Sequence, residues 1–385
     1  MFVSYFAPYA VRNDPVIYQW VLYKQLRSIG ADDLAFLGDT AYLADPAKRI
    51  ASRHSSANPD WMDRAAYVMP DPAVLAGLKR FHLGGDILKP VIDQRLGPNL
   101  AWRQIMRVPF QPLVALLKSG LSVLKRQGEI EAVLAWVNCA SMRAAADEMG
   151  IPIIHAELGP TRAPQFRPTA YIDFSGVNGN TEASARYARF AAEGAPVPNL
   201  APPEIMRALG WSGAIGRPTP SHETGLALQI PNDSNLVAYG NGFDNFELTQ
   251  FARRRWKTSE LLLRPHPGYP ISPDPEIETD ASPDAAGFIG RVKRIMTVNS
   301  SVAFEAMLHE TPVVMLGECP FAVGGCHPRS LMPRVDAKAW LQWLNFTAFG
   351  YLAPYEWAFD PAYLRFRLTK PTEAEIIGRH LSYWM

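Results

Sequence analysis

The chain has 385 residues, 48% hydrophobic, 11% aromatic and 19% charged, with 38 basic residues against 37 acidic ones. That much apolar material builds a core and excludes disorder over most of the length, and a chain of this size predicts about two or three domains. The net charge of +1 offers nucleic acid no attracting field, and 27 glycines without a period exclude a collagen-like chain. Cys139, Cys319 and Cys326 are too few, and odd in number, for a disulfide framework, which points to a reducing compartment. The start carries no basic stretch ahead of an apolar one, and no apolar run reaches about 18 residues; a soluble, cytoplasmic location follows as the expectation.

In chain order, the first strong signal is QPLVALLKSGLSVLKRQG at 111–128. Its spacing predicts a helix with Leu113, Leu116, Leu117, Leu121 and Leu124 toward a core and Lys118, Lys125 and Arg126 toward solvent. A membrane-surface helix is the alternative reading. AVLAWV at 132–137, Asn138, the helical ASMRAAADEMG and IPIIHAEL at 151–158 then form a strand–helix–strand unit, with Gly150 closing the helix. The proline-rich stretch 192–225 has little periodicity and marks a boundary.

Beyond it, LALQI (226–230) and LVAYG (236–240) read as strands, and a helix is expected around 244–255. ELLLRPHP (260–267) and RIMTVNSS (294–301) are the next strands, followed by the helix VAFEAMLHE and the strand TPVVMLG (311–317). Arg253, Arg254, Arg255 and Lys257 read as a solvated face, with anionic lipid the alternative contact. This alternation predicts an α/β fold of two Rossmann-like domains facing a cleft. The expected division is an N-terminal acceptor-side domain over 1–205, a linker over 206–225 and a second domain over 226–345. A helical segment over 346–385 is expected to pack back on the first domain.

Candidate chemistry gathers at strand ends, where open α/β sheets bind ligands. His266 follows one apolar strand. Asn299, Ser300 and Ser301 end another and begin a helix, whose free N–H groups and positive dipole end suit a phosphate. Gln229, Asn232 and Asp233 follow a third strand, and a turn explains Pro-Asn-Asp-Ser equally well. HAELGPTR at 155–162 supplies Glu157 and Arg162, and a carboxylate there suits general-base work. No P-loop, dinucleotide fingerprint, D-x-D pair or H-E-x-x-H is present, and Cys319, Cys326 and His327 fit no zinc spacing, so neither a metal nor a cofactor is expected.

His266-Pro267 followed by Ser300-Ser301 resembles the HP and S motifs of bacterial transferases that use CMP-activated acid sugars, sialyltransferases among them. Within that group the chain most resembles the retaining β-Kdo glycosyltransferases of capsule and lipopolysaccharide assembly. Glu157-x-Gly159-x-x-Arg162 with Gly176-Val177-Asn178 is similar to that family's first-domain signature, and Gln229-x-x-Asn232-Asp233-Ser234 to its glutamine-x-x-acid-acid stretch. These motifs cover roughly residues 130–320 of the sequence.

The resemblance implies a glycosyltransferase-B-like fold, CMP-Kdo as donor and retaining transfer, without a metal, to a saccharide acceptor of a surface polysaccharide such as O-antigen or capsule. It implies that His266, Ser300 and Ser301 grip the CMP phosphate and Gln229 lines the donor site, with Arg264, Pro267 and Asn299 beside them. Glu157 would deprotonate the acceptor hydroxyl, and Arg162, Asn178 and Asn138 would position substrate. A lipid-linked acceptor, contact with the inner face of the cytoplasmic membrane and other transferase modules of the same pathway are the implied partners; nucleic acid is not one.

Asn232 departs from the pattern. Double displacement needs a nucleophile opposite the leaving group, and the family places a carboxylate there. A neutral amide makes this chain a carboxylate-to-amide variant at its nucleophile position, unless Asp233 is the working carboxylate. Transfer of another CMP-sugar such as sialic acid, a non-catalytic nucleotide- or sugar-binding module, and a phosphohydrolase using His266 are the competing readings.

Overall fold

Short apolar runs become strands here because both of their faces are covered, which removes the alternation of a half-exposed sheet. The computed structural model describes residues 1–7, 18–43, 70–93, 97–213 and 219–385. Twelve strands are seen among them: β1 Phe2–Tyr5, β2 Leu34–Gly38, β3 Lys79–His82, β4 Ala132–Ala135, β5 Ile153–Leu158, β6 Thr169–Asp173, β7 His222–Ala227, β8 Leu261–Arg264, β9 Glu278–Thr279, β10 Val292–Thr297, β11 Val313–Met315 and β12 Ala353–Pro354. They form two sheets, so the α/β class expected from the alternation is the one observed.

The first sheet runs β12-β6-β5-β4-β1-β2-β3. Strands β3, β2, β1, β4 and β5 are parallel, with Phe2 of β1 in register with Leu34 on one side and Ala132 on the other. The order 3-2-1-4-5-6 is that of a doubly wound nucleotide-binding sheet, whose chain reverses direction between β1 and β4. The helix Gln111–Lys125 covers β2 and β3, burying Leu113, Leu117, Leu121 and Leu124 completely. Gly120 lets it approach closely, since a Cβ there would lie 2.7 Å from Phe81 and 2.8 Å from Leu37. This is the core-facing alternative for that segment, with Lys118 paired to Glu148 at 2.5 Å on its outer side.

The second sheet runs β11-β10-β7-β8-β9 and is parallel throughout. Leu226 on β7 stands between Met296 on β10 and Leu263 on β8. These three, with Leu228, Val298 and Val314, belong to its buried core. The chain leaves β7 toward β8 and β9, then crosses back to β10 and β11, so the direction reverses between β7 and β10.

Two compact units result. One comprises Met1–Glu157, Ile172–Val177 and Glu356–Lys370; the other comprises Leu158–Tyr171, Asn178–Tyr355 and Pro371–Met385. This differs from a division at a linker over 206–225. The proline-rich stretch is structured in part: Pro202 opens a helix through Ala208, where a missing N–H costs nothing, and β7 already begins at His222. Just ahead of it Asn345, fully buried, clasps Leu200, accepting from its N–H at 3.1 Å and donating to its carbonyl at 2.9 Å. Residues 214–218 of that linker lie outside the described ones.

The C-terminal segment divides between the units. In the first, Glu356 holds Lys24 at 2.9 Å and Arg365 holds Glu131 at 2.7 Å. In the second, Glu373 opens the last helix and pairs with the fully buried Arg186 at 2.7 Å. LVAYG, expected as a strand, is instead the end of a helix, Ser234–Tyr239. A five-residue apolar run has no periodicity to separate the two states; Asp233 settles it by capping the helix, its Oδ1 accepting from the Asn235 N–H at 2.7 Å. Among the described residues no helix is long and apolar enough to cross a membrane.

Candidate active site

In the second unit the segments that follow β7, β8 and β10 leave the same edge of one parallel sheet, on either side of its reversal point. Gln229 follows β7. It is buried, and its Oε1 accepts from the Asn299 N–H, just after β10, at 3.2 Å, which ties the two segments together. The Gln229 Nε2 makes no hydrogen bond among the described residues. Asn299 is buried as well, and its Nδ2 donates to the Asn235 carbonyl at 3.0 Å.

After Asn299, the Ser300 N–H donates to Thr297 Oγ1 at 3.3 Å, and the Ser300 hydroxyl accepts from the Val302 N–H at 3.4 Å. The helix Val302–Leu308 therefore begins with one serine turned to its own backbone. Ser301, half-buried, makes no side-chain cap, and its hydroxyl has no hydrogen bond among the described residues. Asn232 is exposed in the turn that follows β7, while the Asp233 carboxylate is engaged as the helix cap.

His266-Pro267-Gly268-Tyr269 is a tight turn, closed by the Tyr269 N–H donating to the His266 carbonyl at 2.8 Å. Pro267 and Gly268 occupy its two central positions, the first fixing φ for a turn and the second offering no side chain to clash. The turn brings the Gly268 N–H to 3.0 Å from His266 Nδ1. Nδ1 is thereby an acceptor, so the neutral ring carries its proton on Nε2, and that N–H makes no hydrogen bond among the described residues. Burial lowers the imidazole pKa below its ordinary value; Asp233 pulls it up and Arg162 pushes it down. The ring is thus an uncharged donor at neutral pH.

The remaining residues singled out from the sequence are placed differently. Arg264, at the end of β8, holds the buried Asp280 at 2.5 Å and donates to the Ser282 carbonyl at 3.2 Å, so it braces its own strand end. Arg162 is exposed, and its Nε donates to the Gly159 carbonyl at 3.3 Å. Glu157 is half-buried near the end of β5. Asn138, buried at the reversal point of the first sheet, turns both ends of its amide to Val177: Nδ2 donates to the Val177 carbonyl and Oδ1 accepts from the Val177 N–H, both at 2.9 Å. The next residue, Asn178, is left-handed with φ 66°.

Sequence reasoning missed two groups. Asn245, the first residue of the helix Asn245–Arg253, clasps the Gln229 backbone; nothing in NGFDNFE signals that, because the partner lies 16 residues earlier. Glu305, on the helix that follows Ser301, has its carboxyl pKa raised to about 7 by burial, with Asp284 adding to the rise and Arg264 opposing it. Its place four residues after a serine pair could have drawn attention. Arg253 does not present a free basic face, since it holds Asp274 at 2.5 Å and Glu276 at 2.7 Å. Among the described residues no three His, Cys, Asp or Glu side chains gather as a metal site.

Residues 4–182 match the family model described as the glycosyltransferase 99 family N-terminal domain. Among solved structures, the chain is similar to two described as Thermosulfurimonas dismutans KpsC. One is its beta Kdo 2,7 transferase, at 14% identity and TM-score 0.41, covering 64% of this chain and 89% of that one. The other is its beta Kdo 2,4 transferase, at 17% identity and TM-score 0.40, covering 56% and 79%. The Methanocaldococcus jannaschii UDP-GlcNAc 2-epimerase aligns over 96% of this chain and all of its own length, at 12% identity and TM-score 0.37. No curated protein matches the chain. The match over residues 4–182 agrees with the glycosyltransferase expectation.

Proposed function

We propose that this glycosyltransferase moves Kdo from CMP-Kdo to a saccharide acceptor of a bacterial surface polysaccharide, with retention and without a metal, and that position 232 is the nucleophile's place. The observation that carries the reading is the set of uncommitted donors at the reversal point of the second sheet. Gln229 Nε2, His266 Nε2–H and the Ser301 hydroxyl, all on segments leaving one sheet edge, suit the phosphate and polar edge of a CMP leaving group. The motif order around them is what favours CMP-Kdo over another CMP-sugar.

Position 232 is preferred to Asp233 because the Asp233 carboxylate already caps a helix, whereas Asn232 stands exposed in the turn. In double displacement a carboxylate oxygen at 232 would attack the anomeric carbon as the bond to the CMP phosphate breaks. The acceptor hydroxyl, its proton taken by a general base, would then displace that carboxylate. An amide performs the first step poorly, so the chain binds donor and turns it over slowly.

CMP release from CMP-Kdo, measured with a panel of saccharide acceptors, tests this. Asn232→Asp is expected to exceed the unsubstituted chain by on the order of 10⁴-fold. Equal rates would move the chemistry to another residue. No release from either form, with tight binding of CMP retained, would favour a nucleotide-binding module.

A further inference from the structure

The segment that carries Asn232 and Asp233 is fastened at both ends by neutral side-chain amides. At its start, the Gln229 N–H donates to Asn245 Oδ1 at 3.0 Å, and the Gln229 carbonyl accepts from Asn245 Nδ2 at 2.6 Å. At its end, Asn235 and Asn299 exchange a matching pair: each Nδ2 donates to the other's carbonyl at 3.0 Å. The Gln229 Oε1 bond to the Asn299 N–H closes the ring between the two clasps. Within it, the Asp233 N–H donates to the Ile230 carbonyl at 2.9 Å, folding the turn.

We propose that Asn245 and Asn235 are positioning residues of the donor site, holding the 229–235 turn and the Asn299–Ser301 segment in one fixed relation. The inference deepens the donor-site reading above and rests on it. Each clasp satisfies one N–H and one carbonyl, or two carbonyls, of segments that lie outside the sheet ladder, so removing it takes away a hydrogen-bond partner that those backbone groups have here. Asn245 is anchored in turn, because the Asp244 carboxylate caps its helix by accepting from the Glu247 N–H at 2.9 Å. All four amides are uncharged, so the hold is unaffected by pH in the neutral range. A group misplaced by about 1 Å costs a reaction on the order of 10²-fold, so fastening both ends matters more here than the strength of any one bond.

The test is hydrogen exchange of the whole chain, paired with CMP affinity by calorimetry, for Asn245→Ala, Asn235→Ala and Asn245→Asp. Asn245→Asp keeps the acceptor for the Gln229 N–H but sets a carboxylate oxygen against the Gln229 carbonyl. The expected result is exchange faster by at least about tenfold over 229–235 and 299–301 alone, with CMP bound about tenfold more weakly. Unchanged exchange over those segments overturns the proposal, as does faster exchange with CMP affinity unmoved. Global loss of protection in all three variants also overturns it, by making the clasps elements of the fold. If the unsubstituted chain binds no CMP, the donor-site reading fails, and the exchange profile alone then shows whether the clasps hold the turn.

Discussion

The two reversal points of this molecule use the same kind of residue to opposite ends. In the first sheet, Asn138 turns both ends of its amide onto the Val177 main chain, and the nearby strand β5 buries His155 beside Arg143. In the second, asparagine and glutamine amides fasten segments to one another, while Gln229 Nε2, His266 Nε2–H and the Ser301 hydroxyl keep their hydrogen-bonding capacity. A closed network gives stability, and one with donors left over gives a binding site. The difference lies in which atoms are committed, since the residue types are much alike.

Three experiments would break or sharpen this contrast. The largest effect is expected from acid. Burial, with the Arg143 guanidinium adding to it, lowers the His155 pKa to about 3 against an ordinary 6.5. The folded first unit therefore refuses a proton that the unfolded chain accepts. Its stability is full above pH 6.5 and falls by about 1.4 kcal/mol per unit down to pH 3, about 5 kcal/mol in all. Denaturant titrations of the chain and of His155→Gln across that range would show it, the variant having the flatter profile.

A smaller effect follows from His266→Ala, which removes an uncharged donor to a phosphate. It is expected to weaken CMP binding by about 1.5–3 kcal/mol, roughly tenfold to a hundredfold, with little change in stability. Calorimetric titration with CMP reads this directly; a stability loss with affinity retained would reverse the contrast. Of similar size or smaller is Asn138→Ala, expected to cost about 1–2 kcal/mol of stability, because the N–H and carbonyl of Val177 lose a partner, while CMP affinity is unmoved. A variant that lost CMP affinity without losing stability would make Asn138 a ligand-binding residue.

Much of the fold is legible in the sequence because it rests on local pattern. The apolar runs around 132–137, 260–264 and 294–298 hold strands, and the leucine spacing in 111–125 is a buried helical face, whereas the strand expected over 226–230 lies earlier, at His222–Ala227. Leu236–Gly240 misleads, since its state depends on whether Asp233 captures an N–H. His266 and Ser301 are legible as site candidates through their place after apolar runs. Arg264 is not, because the carboxylate that neutralises it, Asp280, lies 16 residues on in a stretch that reads as a loop. Asn245 and Asn235 are invisible for a related reason: an amide clasp is defined by its partner's backbone, and tertiary structure alone brings that partner within reach.

The clasps also set a chemical lifetime. Asparagine and glutamine are among the heat-labile side chains, and hydrolysis of an amide to a carboxylate exchanges an N–H donor for a charged oxygen. At Asn245 or Asn235 that oxygen would face a main-chain carbonyl less than about 3 Å away, repelling what the amide had held. Stored or heated protein would then lose ligand binding through the gain of a single negative charge, well before it unfolds.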